Sequence, residues 1–251
     1  MSPSALFEMD PAGRFSSRAD DYARFRPDYP EAAIEAILNL ADSPAPTVAD
    51  VGAGTGISSR MLAARGARVL AVEPNREMRA RLGPEVEAVD AEAESLPFAD
   101  GSIDLVTAFQ AFHWFHPERS LGEFHRVLRP GGFLALVWNE RDDSDSFTAS
   151  FGEAVRLASN DHPAENRLSS VAPFLASDLF VETREIVFPH LQALEMEGLI
   201  GRMRSTSYLP QEGEAWDRLV ESVRAAWERH RDAEGKVALV YRTIVFAGKS
   251  G

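Results

Sequence analysis

The most informative segment of the sequence is Val48-Ala49-Asp50-Val51-Gly52-Ala53-Gly54-Thr55-Gly56, a short apolar run that leads into three closely spaced glycines. The run predicts a strand over Thr47–Val51, and the residues that follow predict a helix over Ile57–Arg65, ended by Gly66. Glycines between a strand and a helix let the backbone turn tightly and approach a ligand without an intervening Cβ. The segment therefore predicts a ligand-binding turn at the carboxyl end of a strand.

The spacing of these glycines leaves more than one interpretation open. A dinucleotide-binding fingerprint has the pattern G-x-G-x-x-G, whereas here the third glycine comes one position early, at Gly56. The apolar run Val69–Val72 then ends in Glu73, whose carboxylate could accept hydrogen bonds from both ribose hydroxyls of an adenosine. An NAD-dependent oxidoreductase and a simple tight connection stay as alternatives. The glycine spacing and the lack of a Tyr-x-x-x-Lys pair speak against the oxidoreductase.

Apolar runs alternate with helical patterns along the rest of the chain. Strands are predicted at Arg68–Val72, Val86–Val89, Ile103–Phe109, Phe133–Trp138, Glu182–Phe188 and Val237–Phe246. Further helices are predicted at Glu31–Leu40, Asn75–Leu82, Ser120–Leu128, Phe147–Ala158, Leu191–Met203 and Glu214–His230. Nearly continuous apolar strands separated by helices predict an α/β fold with a parallel sheet that is covered on both faces.

Composition and charge exclude several classes of function. The 251 residues include 26 Lys and Arg against 39 Asp and Glu, a net charge of −13, so we expect no nucleic-acid partner. The sequence has no cysteine, which excludes disulfides, thiolate metal sites and a cysteine nucleophile. No apolar run approaches the roughly 20 residues that span a bilayer, and the amino-terminal residues lack a secretory pattern. The sequence therefore predicts a cytoplasmic protein without a membrane partner.

Several motifs, taken in order, resemble the class I S-adenosylmethionine-dependent methyltransferases, and most closely the methyltransferase type 11 group. The motifs are Asp50–Gly56, Glu73-Pro74, Leu96-Pro97-Phe98 and Leu128-Arg129-Pro130-Gly131-Gly132. Three further segments resemble the branch that includes trans-aconitate methyltransferases: Tyr22–Pro30, Gln110–Phe115 and Trp138–Arg141. Motifs that occur together in this order are far more specific than a glycine turn alone.

This resemblance implies a fold and a domain organisation. The fold would be Rossmann-like, with a seven-stranded, mostly parallel sheet of order 3-2-1-4-5-7-6, an antiparallel last strand, helices on both faces and a helical lid or insertion. The whole chain, 1–251, would form a single methyltransferase domain. It would comprise an amino-terminal lid or helix (1–40), a cofactor-binding core (45–141), acceptor-side helices and an insertion (142–236) and a final strand (237–251).

The resemblance also implies S-adenosyl-L-methionine as the cofactor and S-adenosyl-L-homocysteine as its product. It places the three glycines under the methionine part, Glu73 on the ribose, and Ala93 with the preceding Glu92 on the adenine. Met78 could lay its thioether on the adenine face, although packing of its helix explains it equally well. The predicted cofactor-binding residues are Tyr22, Arg26, Asp50, Gly52, Ala53, Gly54, Gly56, Glu73, Pro74, Met78, Glu92, Ala93, Glu94, Gln110 and Ala111.

The acceptor side is predicted from residues that follow the fourth and fifth strands and from two outlying segments. His113 could act as a general base or orient an acceptor, and a structural hydrogen-bonding role is the alternative. Arg26 could bind the methionine carboxylate or an acidic acceptor. The predicted acceptor-binding residues are Tyr29, Trp114, Asn139 and Tyr208. No metal is predicted, because His113 and His116 lack companions at ligand spacing.

Taken together, the sequence predicts a methyltransferase (EC 2.1.1) that transfers a methyl group to oxygen, nitrogen or carbon of a small-molecule acceptor. Two alternatives keep the cofactor: a non-catalytic S-adenosylmethionine-binding protein, and an enzyme that uses the fold for a reaction other than methylation. The identity of the acceptor and the oligomeric state are left open by the sequence.

Overall fold

The structure is a computed structural model that describes residues 19–163, residue 168 and residues 170–251. Within these residues seven strands form one sheet of order β3-β2-β1-β4-β5-β7-β6. The strands are β1 (Thr47–Val51), β2 (Arg68–Val72), β3 (Glu87–Val89), β4 (Ile103–Phe109), β5 (Leu128–Arg141), β6 (Phe180–Leu194) and β7 (Val237–Ser250). The first five are parallel, and β7 runs antiparallel to both β5 and β6. This arrangement confirms the predicted Rossmann-like α/β sheet.

Helices surround the sheet. They are α1 (Ala19–Phe25), α2 (Glu31–Leu38), α3 (Ile57–Ala63), α4 (Arg76–Arg79), α5 (Pro117–Val127), α6 (Ser146–Ser159), α7 (Ala172–Leu175), α8 (Met196–Arg204) and α9 (Gly213–His230), together with a 3₁₀ turn at Phe112–Trp114. None of these helices is both long and apolar enough to cross a membrane. Of the lid predicted over residues 1–40, the first 18 positions lie outside the described residues.

The buried side chains form three clusters. One face of the sheet packs on α5 and α7, where Phe124 and Phe174 are fully buried, and the other packs on α2 and α3 through residues such as Ile34 and Leu62. The third cluster joins α6, α8 and α9 to the start of β7. Burial of a large apolar side chain contributes about 2 kcal/mol. The third cluster thereby holds α8 in place, and Arg202 of this helix lines a cavity together with Gly52, after β1, and Phe109, at the end of β4.

Several predicted elements differ from the structure. The helix predicted at Leu191–Met203 begins too early, since β6 continues to Leu194 and pairs with Val237 of β7 before α8 starts. The acceptor-side region 142–236 accordingly contains a full sheet strand besides its helices. The helix predicted at Asn75–Leu82 is only four residues long, and Gly83 and Pro84, which disfavour a helix, follow its end after three intervening residues. The fifth and sixth strands are longer than predicted at both ends, and the seventh is longer at its carboxyl end.

Candidate functional site

A cavity of about 430 Å³ opens at the carboxyl ends of β1, β2 and β4, within the size range of small-molecule sites. Parallel sheets bind ligands where neighbouring strands connect in opposite directions, here between β1 and β4. Most of the predicted site residues line this cavity. They are Tyr22, Arg26, Gly52, Gly54, Glu73, Pro74, Met78, Glu92, Ala93, Glu94, Gln110, Ala111, His113, Trp114 and Tyr208.

The carboxylate of Glu73 is fixed at the cavity wall by backbone groups. Its Oε2 accepts a hydrogen bond of 2.8 Å from the N–H of Gly54, and its Oε1 accepts one of 2.9 Å from the N–H of Asn75. Burial raises the pKa of Glu73, while these two hydrogen bonds and the charge of Arg79 act in the opposite direction. Each carboxylate oxygen has a further lone pair, so the group can accept two hydroxyl donors from a ligand without moving.

The glycine loop lies against the cavity with little room for side chains. Gly52 has a φ of +72°, and a Cβ there would lie 2.5 Å from the Cβ of Ala111 and 3.0 Å from the ring of Phe115. Gly54 has a φ of +59°, and a Cβ there would meet the Tyr22 ring at 3.9 Å. Both positions favour glycine by their backbone conformation. Gly52 requires it for space as well.

Two residues predicted to contact the cofactor support the loop from outside the cavity wall. Asp50 is fully buried and accepts hydrogen bonds from the hydroxyls of Ser58, Ser59 and Thr107, at 2.7, 2.6 and 2.8 Å. Burial raises the pKa of Asp50, against the effect of these three hydrogen bonds. Gly56 stands at the start of α3 with a φ of +82°. Asp50 thus ties β1 to α3 and β4, and its contribution is the position of the loop.

The opposite wall is formed by residues after β2 and β3. Met78 is buried beneath the cavity, where the side chain of Asn75 caps its helix by accepting from the Met78 N–H at 2.9 Å. Ala93 is buried, whereas Glu92 is exposed. Glu94 accepts a 2.6 Å hydrogen bond from the N–H of His116, which joins this wall to the segment after β4. Three carboxylates therefore lie at this end of the cavity.

The described end of the amino-terminal segment closes another side. Arg26 stacks its guanidinium over the Tyr22 ring at 4.8 Å and donates from Nη2 to the carbonyl of Ser205 at 2.9 Å. Ser205 ends α8, so this contact joins the segment after α1 to the acceptor-side helices. Arg26 thus brings a positive charge to the wall of the cavity.

Comparison with known proteins relates these features to one family. A model described as a methyltransferase domain matches residues 49–136. The chain is 38% identical over 198 residues to an uncharacterized methyltransferase of Mycobacterium tuberculosis, covering 77% of this chain and 76% of that protein. It is 29% identical over 245 residues to an uncharacterized methyltransferase-like protein of Schizosaccharomyces pombe, covering 94% of each. The chain belongs to the methyltransferase family.

Solved structures agree with this methyltransferase in fold. A candidate type II methyltransferase from Anaeromyxobacter dehalogenans superposes with a TM-score of 0.69 at 24% identity, covering 90% of this chain and 98% of that one. A candidate methyltransferase from an antibiotic biosynthesis pathway of Anabaena variabilis gives a TM-score of 0.62 at 24% identity, covering 89% and 98%. At such identities the likeness shows the fold alone.

In this methyltransferase the 3₁₀ turn after β4 brings His113 and Trp114 to the cavity. His113 is 7% exposed, and its ring centre lies 4.9 Å from that of Trp114. Tyr208, in the loop after α8, stacks on His162 at 4.8 Å and also lines the cavity. Within the described part of the chain, no three His, Cys, Asp or Glu side chains are grouped to hold a metal ion.

Three predicted residues line only a second, smaller cavity of about 30 Å³: Tyr29, Ala53 and Asn139. Asn139 uses its amide within the protein, donating to the carbonyl of Asp28 at 2.9 Å and accepting from the Thr243 hydroxyl at 2.6 Å. Asn139 therefore links the amino-terminal segment, through Asp28, to Thr243 of β7. Tyr29 is buried edge-on against Phe109 at 4.7 Å.

The main cavity also includes residues that the sequence analysis did not select. They are Val51, Ala91, Phe109, Phe115, His116, Arg119 and Ser207. Val51 and Phe109 end β1 and β4, so the rule that ligands bind at the carboxyl ends of parallel strands could have identified them. Arg119 is the fourth residue after Phe115 along the chain, in the first turn of α5, and its sequence surroundings gave no signal.

Proposed function

We propose that this protein is an S-adenosylmethionine-dependent methyltransferase that transfers a methyl group to oxygen, nitrogen or carbon of a small-molecule acceptor. The observation that carries the proposal is the Glu73 carboxylate, held at the cavity wall by the N–H groups of Gly54 and Asn75. A carboxylate so oriented can accept hydrogen bonds from both ribose hydroxyls, and the glycine loop beside it leaves space for the rest of the cofactor.

The residues present fit the cofactor from one end of the cavity to the other. Glu73 would accept from the ribose hydroxyls, and the wall at Glu92 and Ala93 would receive the adenine. Gly52 and Gly54 would lie along the methionine part, and Arg26 would bind its carboxylate. The charges agree with this assignment, because the cavity wall supplies both an acceptor for the ribose hydroxyls, Glu73, and a cation for the methionine carboxylate, Arg26.

When bound, S-adenosylmethionine supplies a methyl group that its sulfonium has already activated. The protein must then position the acceptor in line and keep water away. Phe109, Trp114 and Phe115 form an apolar part of the wall. His113 would accept a proton from an acceptor hydroxyl or amine, or orient it by a hydrogen bond.

Other expectations accompany this proposal. We expect a small metabolite and not a nucleic acid as the acceptor, because the net charge is −13 and the cavity is of small-molecule size. Membership of the trans-aconitate methyltransferase-like branch stays a prediction, as do the cytoplasmic location and the division into lid, core and acceptor-side regions.

Calorimetric titration tests the cofactor. We expect S-adenosylhomocysteine to bind one site per chain and NADH to bind no more than weakly. Incubation with radiolabelled S-adenosylmethionine and a small-metabolite fraction, beside RNA and protein fractions, tests the acceptor. Label should move into the small-metabolite fraction. Binding of NADH in place of S-adenosylhomocysteine would contradict the proposal, and donor binding without transfer to any fraction would favour a non-catalytic protein.

A further inference from the structure

The smaller cavity adjoins the larger one and differs from it in charge. The two share Tyr22, Arg26, Gly52, Phe109 and Gln110 in their walls, so a ligand in one lies next to a ligand in the other. The smaller cavity is also lined by Arg202 of α8 and Tyr241 of β7. Among the described residues no carboxylate lines it, although its wall contains two arginines.

Arg202 is a buried cation that makes no ion pair within the described part of the chain. Arg202 is only 6% exposed. One of its nitrogens, Nη1, donates to the hydroxyl of Thr206 at 3.1 Å, while its buried Nε has no hydrogen-bond partner among the residues that the structure describes. Burial of a charge is costly unless the charge is paired. The buried charge of Arg202 would therefore be stabilised by an anionic group of a bound ligand.

Tyr241 presents a second unsatisfied group to the same cavity. It is 2% exposed, and its phenolic oxygen is buried with no hydrogen-bond partner in the described part of the chain. Buried hydroxyl groups nearly always have a partner. The guanidinium of Arg202 and the phenol of Tyr241 thus line one small cavity, and each has a hydrogen-bond donor that no described residue uses. Two such donors match the two oxygens of a carboxylate.

We propose that Arg202 and Tyr241 form a subsite that anchors a carboxylate group of the methyl acceptor. This inference rests on the proposed function, because the cofactor must occupy the larger cavity. The volume of about 30 Å³ fits a carboxylate headgroup whose remaining atoms extend into the larger cavity. Arg26, which lines both cavities, serves the methionine carboxylate, whereas Arg202 lines only the smaller one.

In this proposal Arg202 and Tyr241 bind the carboxylate of the acceptor, and the methyl group is transferred to a different atom. Pairing with a guanidinium and a phenol withdraws electron density from the carboxylate oxygens and makes them poorer nucleophiles. The acceptor atom then belongs to another part of the same molecule, inside the larger cavity that contains His113.

Calorimetry with a matched pair of probes tests the subsite. The full-length protein is titrated with phenylacetate and with its neutral isostere phenylacetamide, each with and without saturating S-adenosylhomocysteine. We expect the carboxylate to bind the loaded protein about tenfold or more tightly than the amide, since hydrogen bonds to a charged group are the stronger ones. Equal binding of the two probes would overturn the proposal.

Variants assign the effect to the two residues. Tyr241→Phe removes only a hydroxyl that has no partner in the described structure, so the fold should persist and phenylacetate should bind about tenfold more weakly. Arg202→Met should remove the preference for the carboxylate. Arg204→Met, at an exposed position on the same helix, is the control and should retain it. Unchanged phenylacetate affinity in both Tyr241→Phe and Arg202→Met would contradict the proposal.

Two further results separate this inference from the proposed function. Displacement of phenylacetate by S-adenosylhomocysteine would assign the subsite to the donor and overturn the inference. Formation of methyl phenylacetate with S-adenosylmethionine would overturn the anchoring role. Failure of S-adenosylhomocysteine itself to bind would instead contradict the proposed function, and the titration without it would still measure the dependence of carboxylate binding on Arg202.

Discussion

The backbone N–H of Gly54 donates a 2.8 Å hydrogen bond to Oε2 of Glu73, which joins the loop after β1 to the carboxylate after β2. The other oxygen of this carboxylate accepts from the N–H of Asn75 at 2.9 Å. The two loops that would hold the donor are therefore not independent, since one side chain sets the geometry of both. A change at Glu73 should affect the ribose contacts and the glycine loop together.

Replacement of Glu73 by glutamine should weaken donor binding. Glutamine presents one acceptor oxygen and one NH₂ group, and the NH₂ group cannot accept from a backbone N–H or a hydroxyl. We expect the Kd of S-adenosylhomocysteine, measured by calorimetry, to rise roughly tenfold to a hundredfold. Glu87→Gln, an exposed position on β3, is the matched control and should bind normally. Equal affinity in the two variants would separate Glu73 from the cofactor.

The pH dependence of donor binding should follow Glu73. Burial raises the pKa of this carboxyl above its ordinary value in the free protein, so its contribution to folding stability is present at low pH and is lost as the pH rises through that pKa. Binding of a donor that needs the charged carboxylate of Glu73 has the opposite pH dependence. Its affinity should fall as the pH is lowered from neutral into the acidic range, with uptake of a proton on release.

The same titrations on Glu73→Gln provide the control for this pH effect. The variant has no carboxyl at this position, so its weaker affinity should vary less with pH across the same range. A fall of equal steepness in the wild type and the variant would assign the pH dependence to another group.

Substitution at Gly52 should damage both the fold and the site. An alanine there would combine a φ of +72° with a Cβ 2.5 Å from that of Ala111. Gly66→Ala is a matched control, since Gly66 has a φ of +89° and open space around a new Cβ. Chemical denaturation should show a loss of about 1–2 kcal/mol for Gly66→Ala, the cost of the left-handed backbone, and a larger loss for Gly52→Ala.

Donor affinity should separate the two glycine variants further. Because Ala111 lines the cavity, the displacement caused by the new Cβ of Gly52→Ala should also raise the Kd of S-adenosylhomocysteine. Gly66→Ala should bind as the wild type does. Similar losses of stability and similar affinities in both variants would contradict the close approach of the loop to Ala111.

Much of the fold was predictable because its signals are local. The strands at Thr47–Val51, Arg68–Val72 and Ile103–Phe109 have the predicted bounds, since each apolar run is flanked by polar or glycine-containing turns. Parallel strands place their carboxyl ends at one edge, which brings Gly54 and Glu73 together although 18 residues separate them. The boundary between β6 and α8 was mistaken, since the cross-strand pairing that extends β6 to Leu194 is not visible in local sequence.

The acceptor end was less predictable because it depends on contacts between distant segments. Arg202 and Arg204 are the same residue type on one helix, yet the tertiary fold leaves Arg204 exposed and Arg202 only 6% exposed, in the wall of the small cavity that Tyr241 also lines. Asn139 has the polarity of a ligand contact, yet its amide joins Asp28 to Thr243. Residue type identified polar groups there, and the tertiary fold decided what each of them contacts.

Substitution of His113 should impair turnover more than donor binding. Its buried ring lines the cavity beside Trp114 and follows β4, whereas Glu73 follows β2, on the other side of β1 in the sheet. If His113 accepts the acceptor's proton, His113→Ala should lower kcat by about a hundredfold or more, while the Kd of S-adenosylhomocysteine changes little. His125→Ala, at a half-buried position on α5 outside the cavity wall, is the control and should retain full activity.

Added imidazole distinguishes a chemical role of His113 from a structural one. The alanine variant leaves a space beside Trp114 that free imidazole can enter, so imidazole should restore part of the lost turnover if a base is what is missing. A change in KM or in thermal stability without a fall in kcat would assign His113 to packing instead. A lowered kcat that imidazole leaves unchanged would assign it to orienting the acceptor through a fixed hydrogen bond, because a diffusing imidazole cannot reproduce that geometry.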